Sequence, residues 1–338
     1  MRILLAIVIT LAAAWAGYWF IGSAALRSGL AAWFDARQAE GWVAEYADLS
    51  VQGFPNRFDT SFTDVALADP ASGLGWQAPF FQVLTLSYTP NHVIAVWPEE
   101  QQVRTPLRSY ALTNQDMRAS LVVAPSPALA PRRMTLTAEG IALTPDDGSG
   151  ALSAATLRLA GERTEDAVGN GNARYHLGLA ASDVALPAEA MAQFDVEGSL
   201  PRVIESVMVD ATVDFDVPWD RRALEVARPQ PTRIAIKNAE IRWGVMTLTA
   251  SGVLSVDLAG HPDGTLTVTA RNWRQILDAA TRAGALLPDV ADTVERALSV
   301  LADMSDDPKS LEVPLRLAGG SIWIGPLPIA PAPVLHLR

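Results

Sequence analysis

The chain has 338 residues, 49% of them hydrophobic, so a sizeable core is available to one large domain or two modest ones. Its 37 acidic and 26 basic residues leave a formal net charge of −11. That balance excludes the basic footprint of a nucleic-acid binder and any hold on anionic headgroups by charge alone; the absence of cysteine excludes a disulfide framework and a lipid-modified N-terminal Cys.

Residues Ile3 to Ile21 read ILLAIVITLAAAWAGYWFI and contain no charged side chain. A helix of this length roughly spans the hydrocarbon core of a bilayer. Its anchor residues include Ile3, Leu11 and Ile21, with Trp15, Tyr18, Trp19 and Phe20 crowding the end where interfacial aromatics belong. Arg2 precedes the run, so the expected orientation has the N-terminus inside and everything from about Ser23 delivered to the far side. A cleaved signal peptide is the alternative, because Gly22-Ser23-Ala24-Ala25 offers small residues at cleavage spacing. Residues 1–23 are thus read as an anchor or signal peptide and 24–41 as a connecting helix. Leu26, Leu30, Trp33 and Phe34 recur there at three- and four-residue steps.

From Gly41 the period changes to two, and residues 42–338 read as an exported β-rich domain. Trp42 to Gln52 and Arg57 to Ala68 are expected to pair across the turn Gly53-Phe54-Pro55-Asn56, with Phe58, Thr60 and Phe62 on one face. Phe80 to Thr89 and His92 to Trp97 suggest a second hairpin across Pro90-Asn91. Strand-like runs follow at Met117–Val123, Met134–Leu143, Leu152–Ala160 and Arg174–Leu179, then a short helix over Pro187–Phe194. Val207 to Val217 alternates cleanly: Val209, Ala211, Val213 and Phe215 point one way, Asp210, Asp214 and Asp216 the other. A helical turn over Asp220–Ala227 precedes strands at Arg233–Lys237, Ala239–Trp243, Met246–Leu258 and Thr265–Ala270, with Asp263-Gly264 as a hairpin-turn signal. Asn272 reads as the N-cap of a helix from Trp273 to Leu287. After Pro288 a second helix, Asp289 to Met304, completes a helical hairpin. Leu311–Leu317 and Ser321–Ile324 return to strand, before the proline-rich Pro326 to Pro333. The fold class is therefore mainly β: a long, twisted or curved antiparallel sheet with an N-terminal transmembrane helix and a helical hairpin in the C-terminal half.

Met134–Ile141 echoes Met246–Val253, each followed by an Asp-Gly pair. Two related sheet modules, about 42–200 and 201–338, are one reading; a chance match in a Thr/Leu/Ala-rich vocabulary is the other.

Chemistry is sparse. His92, His176, His261 and His336 lack ligand-like spacing, and no HExxH, phosphate loop or nucleophile elbow is present. Asp303, Asp306 and Asp307 lack the glycine and terminal Glu of a calcium loop and read as a solvated turn. No catalytic, metal or cofactor site is expected, and no enzyme.

Several motifs carry a resemblance. They are Val51-x-Gly53-Phe54-Pro55-x-Arg57-Phe58, then Asp64-Val65-x-Leu67-x-Asp69-Pro70, Trp76-x-Ala78-Pro79-Phe80, Tyr88-x-Pro90-Asn91-His92 and Trp97-Pro98. Ser251-Gly252-x-Leu254, Gly264-x-Leu266 and Gly325-Pro326-Leu327 fit the same pattern. Together they resemble the domain-of-unknown-function family numbered 2125, found in Gram-negative envelopes. More distantly, the rhythm near Gly252 and Gly264 is similar to AsmA-like envelope proteins, an analogy of architecture. The resemblance implies a single-pass inner-membrane protein with its bulk in the periplasm. It transfers no reaction. The leading expectation is a non-enzymatic protein that binds lipid or another hydrophobic ligand in envelope maintenance. A scaffold for other envelope proteins is the alternative, and a hydrolase assembled from distant residues ranks last. The expected partners are the inner membrane, lipid or envelope proteins, and not nucleic acid.

Overall fold

A computed structural model describes residues 1–164, 173–194, 200–225, 227–284, 286, 288–303 and 307–337. The chain is mainly β, and the strand pairings set out below are antiparallel. It divides into two compact units, one of residues 1–123 and 136–148, the other of 124–135 and 149–338.

The first unit opens with α1 (Arg2–Ala39), unbroken through the apolar run and the segment after it. No proline interrupts it, and it stops at Gly41, whose φ of +88° suits glycine. Strands β1 (Val43–Glu45) and β2 (Asp48–Gln52) replace the single strand expected over Trp42–Gln52. They pair with opposite halves of β3 (Arg57–Asp69). The expected turn is present: the amides of Asn56 and Arg57 both donate to the Gly53 carbonyl. β4 (Leu74–Leu86) pairs along all of β3. Its two halves then diverge, one to β5 (Thr89–Val96) and the other to β6 (Glu100–Arg104). Ser87 and Tyr88 make the β4–β5 turn, and Pro90-Asn91 lies inside β5. The turn thus falls two residues before the Pro-Asn signal: Pro90 has no N–H to lose from the ladder. β7 (Ser109–Thr113) follows β6, β8 (Asp116–Val123) pairs with β5, and the end of β9 (Pro131–Pro145) pairs with β7. The core of this unit is Phe34, Ala44, Leu49, Phe62, Val65 and Ala78, with Leu30 and Tyr46 packed against it. Trp33 stays exposed at the edge of that core, its ring against Phe34 and Arg37 over it.

The second unit is a meander in which each strand pairs with the next. It runs β10 (Leu152–Arg163), β11 (Ala173–Ala185), β12 (Val203–Phe215), β13 (Pro231–Trp243), β14 (Met246–Val256), β15 (Pro262–Arg271), β16 (Ser310–Ala318), β17 (Ser321–Ile324) and β18 (Leu327–Pro331). Short helices α2 (Ala188–Phe194) and α3 (Arg221–Glu225) flank β12. The two strands expected around Lys237 and Asn238 are one, β13, with a register shift at that point. Asp263-Gly264 is not a turn. It sits in β15, and the β14–β15 reversal is made at Asp257–His261, where Asp257 accepts from the amides of Ala259 and His261.

The helical hairpin is α4 (Trp273–Arg282) and α5 (Pro288–Asp303). Its inner face joins β16 in a core of Trp273, Leu286, Val294, Leu298, Leu311 and Val313. Asn272 occupies the N-cap position without capping. It is left-handed (φ +57°), and its side-chain amide donates to the Val245 carbonyl instead. The tertiary bond to β14's entry outweighs the local one. The expected helix ends at Leu287 and Met304 lie outside the described residues, as does Asp306.

Candidate ligand-binding face

The pairing register of the second unit places apolar residues opposite one another from strand to strand. One row across β10 to β15 reads Leu159, Leu179, Val209, Ala239, Ala250 and Val268. The next reads Leu157, Ala181, Val207, Ile241, Leu248 and Ala270. Directly paired residues point to the same side of a sheet, so these rows form one face without a polar side chain. The β13 shift preserves it: one extra residue is taken up at Lys237, leaving Ile236 and Ala239 both in the apolar rows.

Coverage of this face is uneven. At β16 it is closed by α4 and α5. At the far end of β11 and β12 a cluster of Ala173, Tyr175, Val213 and Phe215 is buried, with Trp219 packed on it. Between these, Leu179, Val207, Val209 and Leu248 are only half-buried, and Leu159 and Ile241 are 38% and 39% exposed.

The opposite face is polar and ion-paired. Asp214, on the face read as water-facing, is only 6% exposed, and Arg174 donates two bonds to it, at 2.6 and 3.0 Å. Those bonds hold its carboxyl below the usual carboxylate range against the opposing effect of burial. Asp210 is held low chiefly by the His176 side chain, 2.6 Å away, with Lys237 at 3.3 Å. The Asp216 carboxylate accepts from the amides of Val217 and Gln230. The alternating aspartates thus lock strands together. A short Asp on a sheet with one Arg in cross-strand register was the available signal.

Two concavities have mixed linings. One of about 620 Å³ in the first unit lies among Asp64, Gln77, Glu100, Gln101, Gln102 and Thr113, with small apolar residues between them. One of about 510 Å³ in the second is walled by Ser255, Asp257, His261 and Asp263 together with Val256 and Pro262. The histidines stay apart. His92 meets Ser120, and His261 meets Asp257 at 3.5 Å. Among the described residues no three His, Asp or Glu side chains gather as metal ligands.

α1 is long and apolar enough to cross a membrane. Of its expected anchor residues, Ile3, Leu11 and Ile21 are exposed, as lipid-facing residues need to be. Trp15, Tyr18 and Trp19 do something the composition did not announce: each donates a hydrogen bond to the body. Trp15 Nε1 donates to the Pro55 carbonyl (3.0 Å), Tyr18 Oη to Ser87 (2.7 Å) and Trp19 Nε1 to Arg57 (2.7 Å).

A family model described as an uncharacterized protein conserved in bacteria, DUF2125, matches residues 19–333. The chain belongs to the DUF2125 family. No curated protein and no solved structure matches it. The turn and packing residues that suggested the family are the ones that now explain its fold. Gly53 and Arg57 close the β2–β3 turn, while Phe58 meets α1. Gly252 and Gly264 sit where β14 and β15 approach too closely for a side chain.

Proposed function

We propose that this DUF2125 member is an inner-membrane protein held by a retained α1. Its body lies in the periplasm, and it receives a lipid or similar hydrophobic molecule against the apolar face of the second unit. The carrying observation is the partly uncovered set of Leu, Val and Ile rows between the Tyr175–Phe215 cluster and the α4–α5 hairpin. An acyl chain lying on such a face gains roughly 0.8 kcal/mol per buried CH₂ and needs no charged contact, which suits a chain of net charge −11. Retention is supported by the cleavage-like stretch itself. Gly22 to Ala25 lies inside a continuous helix, and Gly22 faces the Phe58 ring so closely that a Cβ would come within 2.9 Å of it. The reading assigns no reaction, and the AsmA-like analogy adds only architecture.

The test is lipid mass spectrometry on full-length protein purified in mild detergent, beside a Leu159→Gln/Ile241→Gln double variant. Both positions are exposed enough to accept the change without losing the fold. A lipid class that accompanies the wild type and is lost from the variant supports the reading. Identical lipid from both leaves the scaffold alternative ahead. That alternative gains little from β18, where Pro328 and Pro331 remove two backbone donors.

A further inference from the structure

We propose that two hairpin tips of the first unit enter the membrane interface beside α1 and seat this unit on the bilayer that α1 spans. The inference rests on the reading of α1 as an anchor.

It begins with helix register. If Ile3 to Ile21 fills the hydrocarbon, then Trp15, Tyr18 and Trp19 lie inside the end of the span. Trp15 is about 9 Å below Ile21 along the axis. Yet these three side chains bond directly to Pro55, Ser87 and Arg57. The β2–β3 tip and the β4–β5 tip are therefore held at the depth of the last apolar turns. They cannot stand clear of the bilayer while α1 spans it.

The tips are built for that depth. Residues 53–56 read Gly-Phe-Pro-Asn and 86–91 read Leu-Ser-Tyr-Thr-Pro-Asn, without a charge in either, on a chain of net charge −11. The first charge beyond, Arg57, is paired with Asp59 at 3.0 Å. Backbone at this depth needs its polar groups satisfied by protein. The carbonyl of Gly53 accepts from Asn56 and Arg57, that of Asn56 from the Ser87 amide, and that of Pro55 from Trp15 and the Ser87 hydroxyl. Arg57 and Ser87 are served by Trp19 and Tyr18, and Pro55 has no N–H to satisfy. The outward surface is apolar or amphipathic: Phe54 is 52% exposed and stacks on Phe20, and Tyr88 is 61% exposed. Exposed aromatics with polar edges belong at the headgroup level.

The chain has no cysteine, so single cysteines can carry a nitroxide on the full-length protein in vesicles of phosphatidylethanolamine and phosphatidylglycerol. Labels at Tyr88→Cys and Phe54→Cys are compared with Ile7→Cys in the span and Leu107→Cys, an exposed leucine in the β6–β7 turn of the same unit. Collisions with oxygen and with a water-soluble nickel chelate report depth. The expected oxygen-to-nickel ratio at 88 and 54 is several-fold above that at 107 and below that at 7. Tyr88 packs on no other ring among the described residues, so its variant tests the idea even if Phe54→Cys, which loses contact with Trp19 and Phe20, folds poorly. A wet label at 88 with a lipid-bound label at 7 overturns the seating alone. A wet label at 7 overturns the anchor and the seating together.

Discussion

Two residues show what the sheet tolerates. Gly252 and Gly264 lie near each other on β14 and β15 with φ of +149° and +150°. A Cβ on either would meet the Thr265 or Val253 carbonyl oxygen at 2.3 Å. Gly252→Ala is expected to cost about 3 kcal/mol through strain and overpacking combined. Gly148→Ala, in open space at a turn, should cost less than half as much in the same urea titration. Equal costs would mean that the close approach is not real. Asp214 makes the second case. Replacement by Ser removes a paired carboxylate and leaves Arg174 without it, for about 1–3 kcal/mol. The pH dependence has a fixed sign. A carboxyl whose folded pKa lies below its ordinary value of 3.8 contributes in full above that value, and its contribution is lost as pH falls through the lower, folded one. The wild type should therefore lose more stability than the variant as pH falls from about 5 towards 2. Parallel curves would sink the pairing.

At the scale of elements, β12 is the strand whose alternation the sequence states openly. Val213→Asp buries an unpaired carboxylate in the Tyr175–Phe215 cluster and should cost several kcal/mol. It should exceed the cost of Asp214→Ser one residue away. In the helical hairpin, Val294→Ala should cost about 2 kcal/mol, since Val294 is 2% exposed among Trp273, Leu298 and Leu311. A melting shift too small to measure would mean that α5 is not packed on β16. Legibility tracks burial pattern. α1, β3, β12 and the α4–α5 pair are readable because each keeps one period over several turns or pleats. β6, reading Glu-Gln-Gln-Val-Arg, and β18, reading Leu-Pro-Ile-Ala-Pro, are not. The first has no apolar alternation, and the second carries the residue that usually forbids a strand. Two elements are set by partners remote in sequence: Asn272 turns towards Val245, and Ser87 rather than Pro90 takes the turn beside Tyr18. The apolar rows stay hidden for the same reason. Each strand shows its own apolar face, but their alignment depends on the shift at Lys237 and Asn238.

At the scale of the whole molecule, one helix among the described residues qualifies as a span, and a single crossing puts everything after it on one side. A reporter active only outside the cytoplasm, fused at the C-terminus, should be active, and its cytoplasmic counterpart silent. The reverse pattern would invert the proposed topology. The unbroken α1 also governs reach. Proteins that hang from a membrane by a floppy linker sweep out a volume and meet partners throughout it, with an effective concentration set by linker length. Here no linker separates the apolar run from the docked Leu30 and Phe34, and the same helix serves both. The first unit therefore keeps one height and one tilt relative to its anchor. It turns only when the anchor turns. On the proposed anchoring by α1, encounters at that unit become two-dimensional, reached by lateral diffusion or at a fixed altitude above the lipid.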